Sequence, residues 1–210
     1  MTDTDDPRLT AFGQTGSTSP VDRLGVWLSG RGIRRHVGSF TGKDVGDFGC
    51  GFDASFSRTI ADEVGSLVLV DVALAPDLGA HARVRAVEGP LPDALDDLDD
   101  ASLDVVLCIS VLEHVWEPQR MIGSFRRLLR PGGVCVVNVP SWLGKRALEF
   151  SAFKLGLSPA FEMDDHKDYY DPRDLWPLLV RGGFKPSNIS CRRHKLGLNT
   201  LAVCRISEDA

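Results

Sequence analysis

Cysteine is scarce in this 210-residue chain and falls into no ligating or pairing pattern. Cys50, Cys108, Cys135, Cys191 and Cys204 form an odd set without a CxxC pair. Four of them stand in apolar, strand-like runs, where a free thiol behaves as a small buried hydrophobe. A cysteine-stapled scaffold is thereby excluded, structural zinc is not expected, and a reducing compartment is. No run of 18 apolar residues occurs, so no membrane-spanning helix is expected. The first residues, MTDTDDPRLTAFGQTGSTSP, lack the basic region and apolar core of a secretory signal. The expectation is a soluble, cytoplasmic protein without a membrane partner. An excess of basic charge is also missing: 24 Lys and Arg against 29 Asp and Glu leave a formal charge of −5, which gives no support to a nucleic-acid partner. No internal repeat is visible.

What is present is an ordinary globular composition, 43% hydrophobic and 25% charged, which excludes a disordered regulator or a fibrous chain. The length is about 1.4 times a 150-residue domain, enough for one full core. Residues 1–20, rich in Thr, Ser, Asp and Gly, read as a flexible arm that gains order only by packing on something. Residues 21–210 read as a single domain.

From Val21 the apolar residues recur at helical spacing, and the helix is expected to end near Gly30 or Gly32, with a second short piece through IRRHVGSF. The period then changes. KDVGDFG reads as a strand with a glycine turn, ASFSRTIADEVG as a helix ending at Gly65, and SLVLVDVA as a buried strand ending near Asp71. This is a βαβ unit, whose crossover demands parallel neighbouring strands. HARVRAVEG suggests an exposed or edge strand, and the almost wholly apolar LDVVLCIS a central one. Met121, Ile122, Phe125, Leu128 and Leu129 mark a helix stopped by RPGG, and GVCVVNVP is the next strand. Residues 141–171 leave the alternating rhythm and are expected to form a substrate cap, with one helix around KRALEFSAFKLG. DPRDLWPLLVRGG begins with Asp171 as N-cap and Pro172 in the first turn. The last two strands, FKPSNISCRRH and LNTLAVCRIS, meet through KLG, the final one antiparallel. The fold class expected is α/β, Rossmann-like and doubly wound, with a mostly parallel seven-stranded sheet.

The sharpest local pattern is VGDFGCGFDASF, in which Asp47, Gly49 and Gly51 lie where a strand gives way to a helix. Glycines there permit a tight turn and close approach of a ligand to backbone amides. Asp71, about 20 residues on, ends the next strand, where a carboxylate can accept hydrogen bonds from a ribose diol. The turn alone could equally be the sharp connection that any α/β sheet needs. Against a dinucleotide, the turn is bulky and acidic at Phe52 and Asp53, and Asp47 stands at its start; negative charge there repels a pyrophosphate and suits a ligand bearing an amine and a sulfonium.

With these landmarks the sequence resembles the class I S-adenosylmethionine-dependent methyltransferases, specifically small members related to the ubiquinone-biosynthesis methyltransferases. The resemblance rests on VGDFGCG, Asp71, LDVVLCISVLEHV and LLRPGGVCVVNVP, in family order over residues 43–140. It implies S-adenosyl-L-methionine as cofactor. Asp47 and the backbone of Gly49, Cys50 and Gly51 would hold the methionine portion, Asp71 the ribose hydroxyls, and Val72 would lie beside the adenine. Glu88 either contacts the adenine amine or faces solvent. Ser110 and Val111 would line the cleft. Asp53 departs from the glycine common at that position.

Methyl transfer from a sulfonium is an in-line displacement, so the protein must align the nucleophile, exclude water and, for a hydroxyl, remove its proton. His114, directly after the central strand, has a suitable intrinsic pKa and is the preferred candidate base. Its structural alternative is a loop-packing histidine. Glu113 reads as a loop organiser. His166, within FEMDDHKDYYDP, is the second candidate, although that charged run reads as a solvated loop too. Trp142, Phe150, Phe153 and Phe161 suggest a lid, a homodimer contact or a second apolar cluster. No metal site is expected. The activity expected is transfer to a small-molecule acceptor, preferably a hydroxyl. Nitrogen or carbon acceptors, or a noncatalytic adenosine-cofactor-binding regulator, are the alternatives.

Overall fold

The computed structural model describes residues 11–14, 20–150 and 167–208. Seven strands form one sheet in the order β3-β2-β1-β4-β5-β7-β6. They are β1 (Asp44–Phe48), β2 (Ser66–Asp71), β3 (Val84–Glu88), β4 (Leu103–Ile109), β5 (Leu129–Pro140), β6 (Ile189–His194) and β7 (Asn199–Arg205). The first five pair in parallel, whereas β7 runs antiparallel to both β5 and β6. The expected doubly wound α/β sheet is therefore present. β3 takes the edge place that its arginines suggested, and β4 lies at the centre.

The sheet divides two apolar layers, as alternation along each strand requires. Val45, Leu69, Leu107, Val136 and Leu201 pack on one face with Ile33 and Val37 of α1 (Pro20–Val37). Phe48, Cys108, Cys135 and Val137 pack on the other with Met121, Ile122 and Phe125 of α3 (Pro118–Leu128). Phe48 and Phe125 stack with centroids 5.7 Å apart. At the amino ends of the strands Arg130 reaches Asp44 (2.7 Å) and Asp104 (3.2 Å), and Asp104 accepts the Asp44 amide. These contacts tie β1, β4 and β5 at the end remote from the glycine turn.

Two helix expectations and one strand expectation change. α1 does not stop at Gly30 or Gly32 but continues to Val37. Gly30 serves close packing, since a Cβ there would meet the Phe56 ring at 3.0 Å, whereas one at Gly32 would make an ordinary 3.4 Å contact with His194. The helix after the glycine turn is short, α2 (Ser55–Arg58), followed by turns as far as the next strand. β5 also starts earlier than expected, at Leu129, so RPGG lies inside the assigned strand beside a register shift. α4 occupies Trp142–Phe150; residues 151–166, with Phe153, Phe161 and His166, lie outside the described residues.

α5 (Pro172–Arg181) starts at the expected Asp171. The Asp171 amide donates to the Asp174 carboxylate at 3.0 Å, which satisfies a group that a helix start would leave unpaired. Pro177 is accommodated within one continuous helix. All five cysteines are free.

Candidate active site

The site is built where β1 ends. Gly49 and Gly51 both have φ +77°, and Ala54 at the start of α2 has φ +44°. The two glycines supply a left-handed conformation that other residues adopt at a cost. Their missing side chains also make room. A Cβ on Gly49 would lie 2.2 Å from Val111 Cγ2, and one on Gly51 would lie 3.2 Å from the Phe12 carbonyl oxygen.

Asp47 is buried, 5% exposed, and its carboxylate accepts the Ser57 hydroxyl at 2.6 Å. Burial pushes its pKa up to about 6, with the Ser57 hydrogen bond opposing and Asp71 adding repulsion. In this arrangement Asp47 binds the base of the turn to α2 from beneath. The Cys50 thiol lies against the carbonyls of Gly51 and Val70, and burial drives its pKa far upward. It is therefore no nucleophile.

Asp71 closes the turn from the neighbouring strand. One carboxylate oxygen accepts the Gly51 amide and the other the Val72 amide, each at 2.8 Å. Burial raises its pKa, while these two amides favour the charged form. Glu88, on the adjoining edge strand, accepts the Leu74 amide at 2.8 Å and so orders the loop after β2. These bonds bring Asp47, Gly49, Cys50, Gly51, Asp71, Val72 and Glu88 together around one carboxyl-terminal edge of the sheet.

The other side of the cleft is made by the end of β4. Ser110 has φ +58°, and its amide donates to the Asn138 carbonyl at 2.7 Å. That bend delivers Val111 to Gly49 and begins the short 3₁₀ turn Leu112–His114. His114 is half-buried with its Nδ1 shielded from solvent. Glu113 is 1% exposed, and burial pushes its carboxyl up to about 8. Its backbone carbonyl accepts the amides of Lys167 and Asp168, which ties this loop to the segment leading into α5.

Some participants escaped the sequence reading. Ser57 and Phe12 carry no pattern of their own: Phe12 reaches the turn through space, its carbonyl accepting the Phe52 amide at 2.9 Å. Asn138 did carry a signal, as a lone amide within the apolar run VCVVNVP.

The donor set fits a cationic adenosine ligand. Two carboxylates, Asp47 and Asp71, stand at a glycine turn whose own amides are held within the protein, Gly49 by the Val70 carbonyl and Gly51 by Asp71. The nearby Arg58 is engaged by Asp77 and by the Asp53 carbonyl instead. Among the described residues no cluster of three or more His, Cys, Asp or Glu could hold a metal ion, and no helix is long and apolar enough to cross a membrane.

A family model described as a methyltransferase domain matches residues 46–137. The chain is 34% identical over 102 residues to a probable S-adenosylmethionine-dependent methyltransferase of Mycolicibacterium smegmatis, a match covering 48% of this chain and 39% of that protein. The chain thus spans well under two thirds of that relative's length. It is 27% identical over 194 residues to the ubiquinone biosynthesis O-methyltransferase of Xylella fastidiosa, covering 82% of this chain and 77% of that one. A crystal structure of a SAM-dependent methyltransferase from Archaeoglobus fulgidus superposes with a TM-score of 0.62 at 16% identity, over 86% of this chain and 94% of that one; at that identity the likeness concerns the fold. Strand order, glycine turn and these distant relatives together give this chain the fold of the class I S-adenosylmethionine-dependent methyltransferases.

Proposed function

We propose that this protein transfers the methyl group of S-adenosylmethionine to a small-molecule acceptor, with a hydroxyl oxygen as the nucleophile. The observation that carries the reading is the Gly49–Gly51 turn, cradled by Asp71 at 2.8 Å and faced across the cleft by the bend at Ser110. When bound, S-adenosylmethionine supplies an electrophilic methyl on a sulfonium. Gly49 and Gly51 admit its methionine portion, Asp71 accepts from its ribose hydroxyls, and the acidic surroundings favour its positive charge. Val72 flanks the adenine. The similarity to a ubiquinone biosynthesis O-methyltransferase favours oxygen as the acceptor atom.

Aligning the nucleophile with the methyl group supplies most of the acceleration, and the remaining task is to take up the hydroxyl proton. His114, at the carboxyl end of the central strand, is the residue assigned to that proton. His166 is the second candidate and lies outside the described residues.

Titration calorimetry with S-adenosylmethionine and its demethylated product tests the cofactor part. Asp71→Ala is expected to weaken binding by about 1.5–3 kcal/mol through loss of charge-assisted hydrogen bonds. Unchanged affinity in a folded Asp71→Ala protein removes Asp71 from the ribose site. Single-turnover rates from pH 5 to 9 test the proton acceptor. His114→Asn should slow the chemical step by roughly 100-fold with cofactor affinity intact, and an unaltered rate excludes His114 as the base.

A further inference from the structure

The strand ends that form the cleft share one level and one face of the sheet. Leu69, Asp47 and Leu107 are in register across β2, β1 and β4, and Leu107 is in register with Val136 of β5. Two residues onward, where alternation returns each side chain to the same face, stand Asp71, Gly49, Ile109 and Asn138. Ile109 and Asn138 are direct ladder partners, and Leu201 of β7 flanks Asn138 on the other side. Three interstrand spacings of ~4.8 Å place Asn138 about 14 Å from Asp71. It stands across the glycine turn from the carboxylate assigned to the ribose.

Asn138 is 2% exposed, and neither its Oδ1 nor its Nδ2 has a hydrogen-bond partner. Its backbone carbonyl is engaged by Ser110, but the carboxamide lies between Ile109 and Leu201, which offer it nothing. The carboxylates on the same face are all satisfied: Asp47 by Ser57, and Asp71 by Gly51 and Val72. A buried amide without partners costs free energy that a leucine of similar size would avoid. Its presence in an otherwise apolar strand is explained by a ligand that completes it.

We infer that Asn138 anchors the methyl acceptor, Nδ2 donating to one oxygen and Oδ1 accepting from a hydroxyl on an adjacent carbon. The inference rests on the methyl-transfer reading and adds to it the residue that selects the acceptor. A neutral acceptor is specified, because a carboxamide has no charge to offer an anion and two carboxylates share its face. α1 packs across β5 on this face, with Ile33 in the same apolar layer as Val136.

The test uses catechol as the probe with two adjacent oxygens and phenol as the probe with one, each titrated into the full chain saturated with S-adenosylhomocysteine. The Asn138 side-chain amide is followed in ¹H–¹⁵N spectra. Catechol is expected to shift the Asn138 amide pair and to bind roughly 10-fold more tightly than phenol, the worth of one hydrogen bond. In Asn138→Leu that preference should vanish, S-adenosylhomocysteine affinity should stay within about twofold, and the ligand-free protein should melt at a higher temperature. Asn138→Ser, which keeps a smaller polar group, should retain part of the preference. An Asn138 amide unmoved by catechol, a preference that survives in Asn138→Leu, or a lower melting temperature for that variant would each overturn the assignment. Failure of the unaltered protein to bind S-adenosylhomocysteine would overturn the methyl-transfer reading instead, so the two failures are told apart.

Discussion

Glu113 shows how burial alone can give one residue a measurable effect on the whole protein. Its carboxyl is pushed from the ordinary 4.5 to about 8 by loss of solvent, and Oε2 has no partner. The folded state therefore holds a proton that the unfolded state releases above pH 4.5, and stability falls as pH rises until the folded pKa is passed. Asp47, raised from 3.8 to about 6, acts in the same direction but has finished by pH 6. His36 and His194 are lowered from 6.5, chiefly by burial; their opposing contribution, which increases stability with pH, ends near 6.5. Glu113 thus governs the window from about 6.5 to 8, where each unit can change stability by about 1.4 kcal/mol. Denaturant unfolding across that window should show stability declining with pH in the wild type and nearly flat in Glu113→Gln. Parallel profiles would mean that Glu113 is ionised throughout.

At the scale of elements, the connection from β1 to α2 works because residues far apart in sequence make room for one another. Gly49 combines φ +77° with a Val111 methyl that a Cβ would approach to 2.2 Å. Gly49→Ala should therefore destabilise the protein by about 2 kcal/mol or more, from backbone strain together with overpacking, and weaken cofactor binding. Adding Val111→Ala removes the two closest methyls but leaves the Val111 Cβ at 3.0 Å and the backbone strain, so the double variant should recover part of the loss in both thermal melting and calorimetry. No recovery would show that Val111 does not set the width of the turn. The short α2 follows the same logic. The sequence through Gly65 has helical spacing, but the regular helix ends at Arg58 and turns carry Ile60 and Val64 into the apolar layer under β1 and β2.

For the whole molecule, the arrangement predicts where ligand binding will be felt. The amino ends of the strands are already tied by Arg130, Asp44 and Asp104, while the carboxyl ends carry the proposed cofactor site. With S-adenosylhomocysteine at 100 times its Kd, linkage raises stability by about 2.7 kcal/mol. Hydrogen exchange should slow most at residues 49–54, 71–75 and 110–115 and least at the amino ends of β1 and β4. Uniform slowing across both ends of the sheet would contradict this placement of the site.

The sequence by itself determined the strand succession, the glycine turn and the acidic end of β2, because each is written in neighbouring residues: alternation, glycine spacing and one carboxylate after an apolar run. It could also announce Asn138 as a polar residue where an apolar one was expected. Only the tertiary structure decided that Asp47 serves Ser57, that Val111 fills the space left by Gly49, and that Asp71 and Asn138 stand on one face across four strands. Those relations depend on parallel register and on which strand lies beside which, and both are set by burial of the two apolar layers between residues tens of positions apart. The same long-range packing carries α1 past Gly30 and Gly32, where local sequence suggested an end and the Phe56 ring comes within 3.0 Å of where a Cβ on Gly30 would stand.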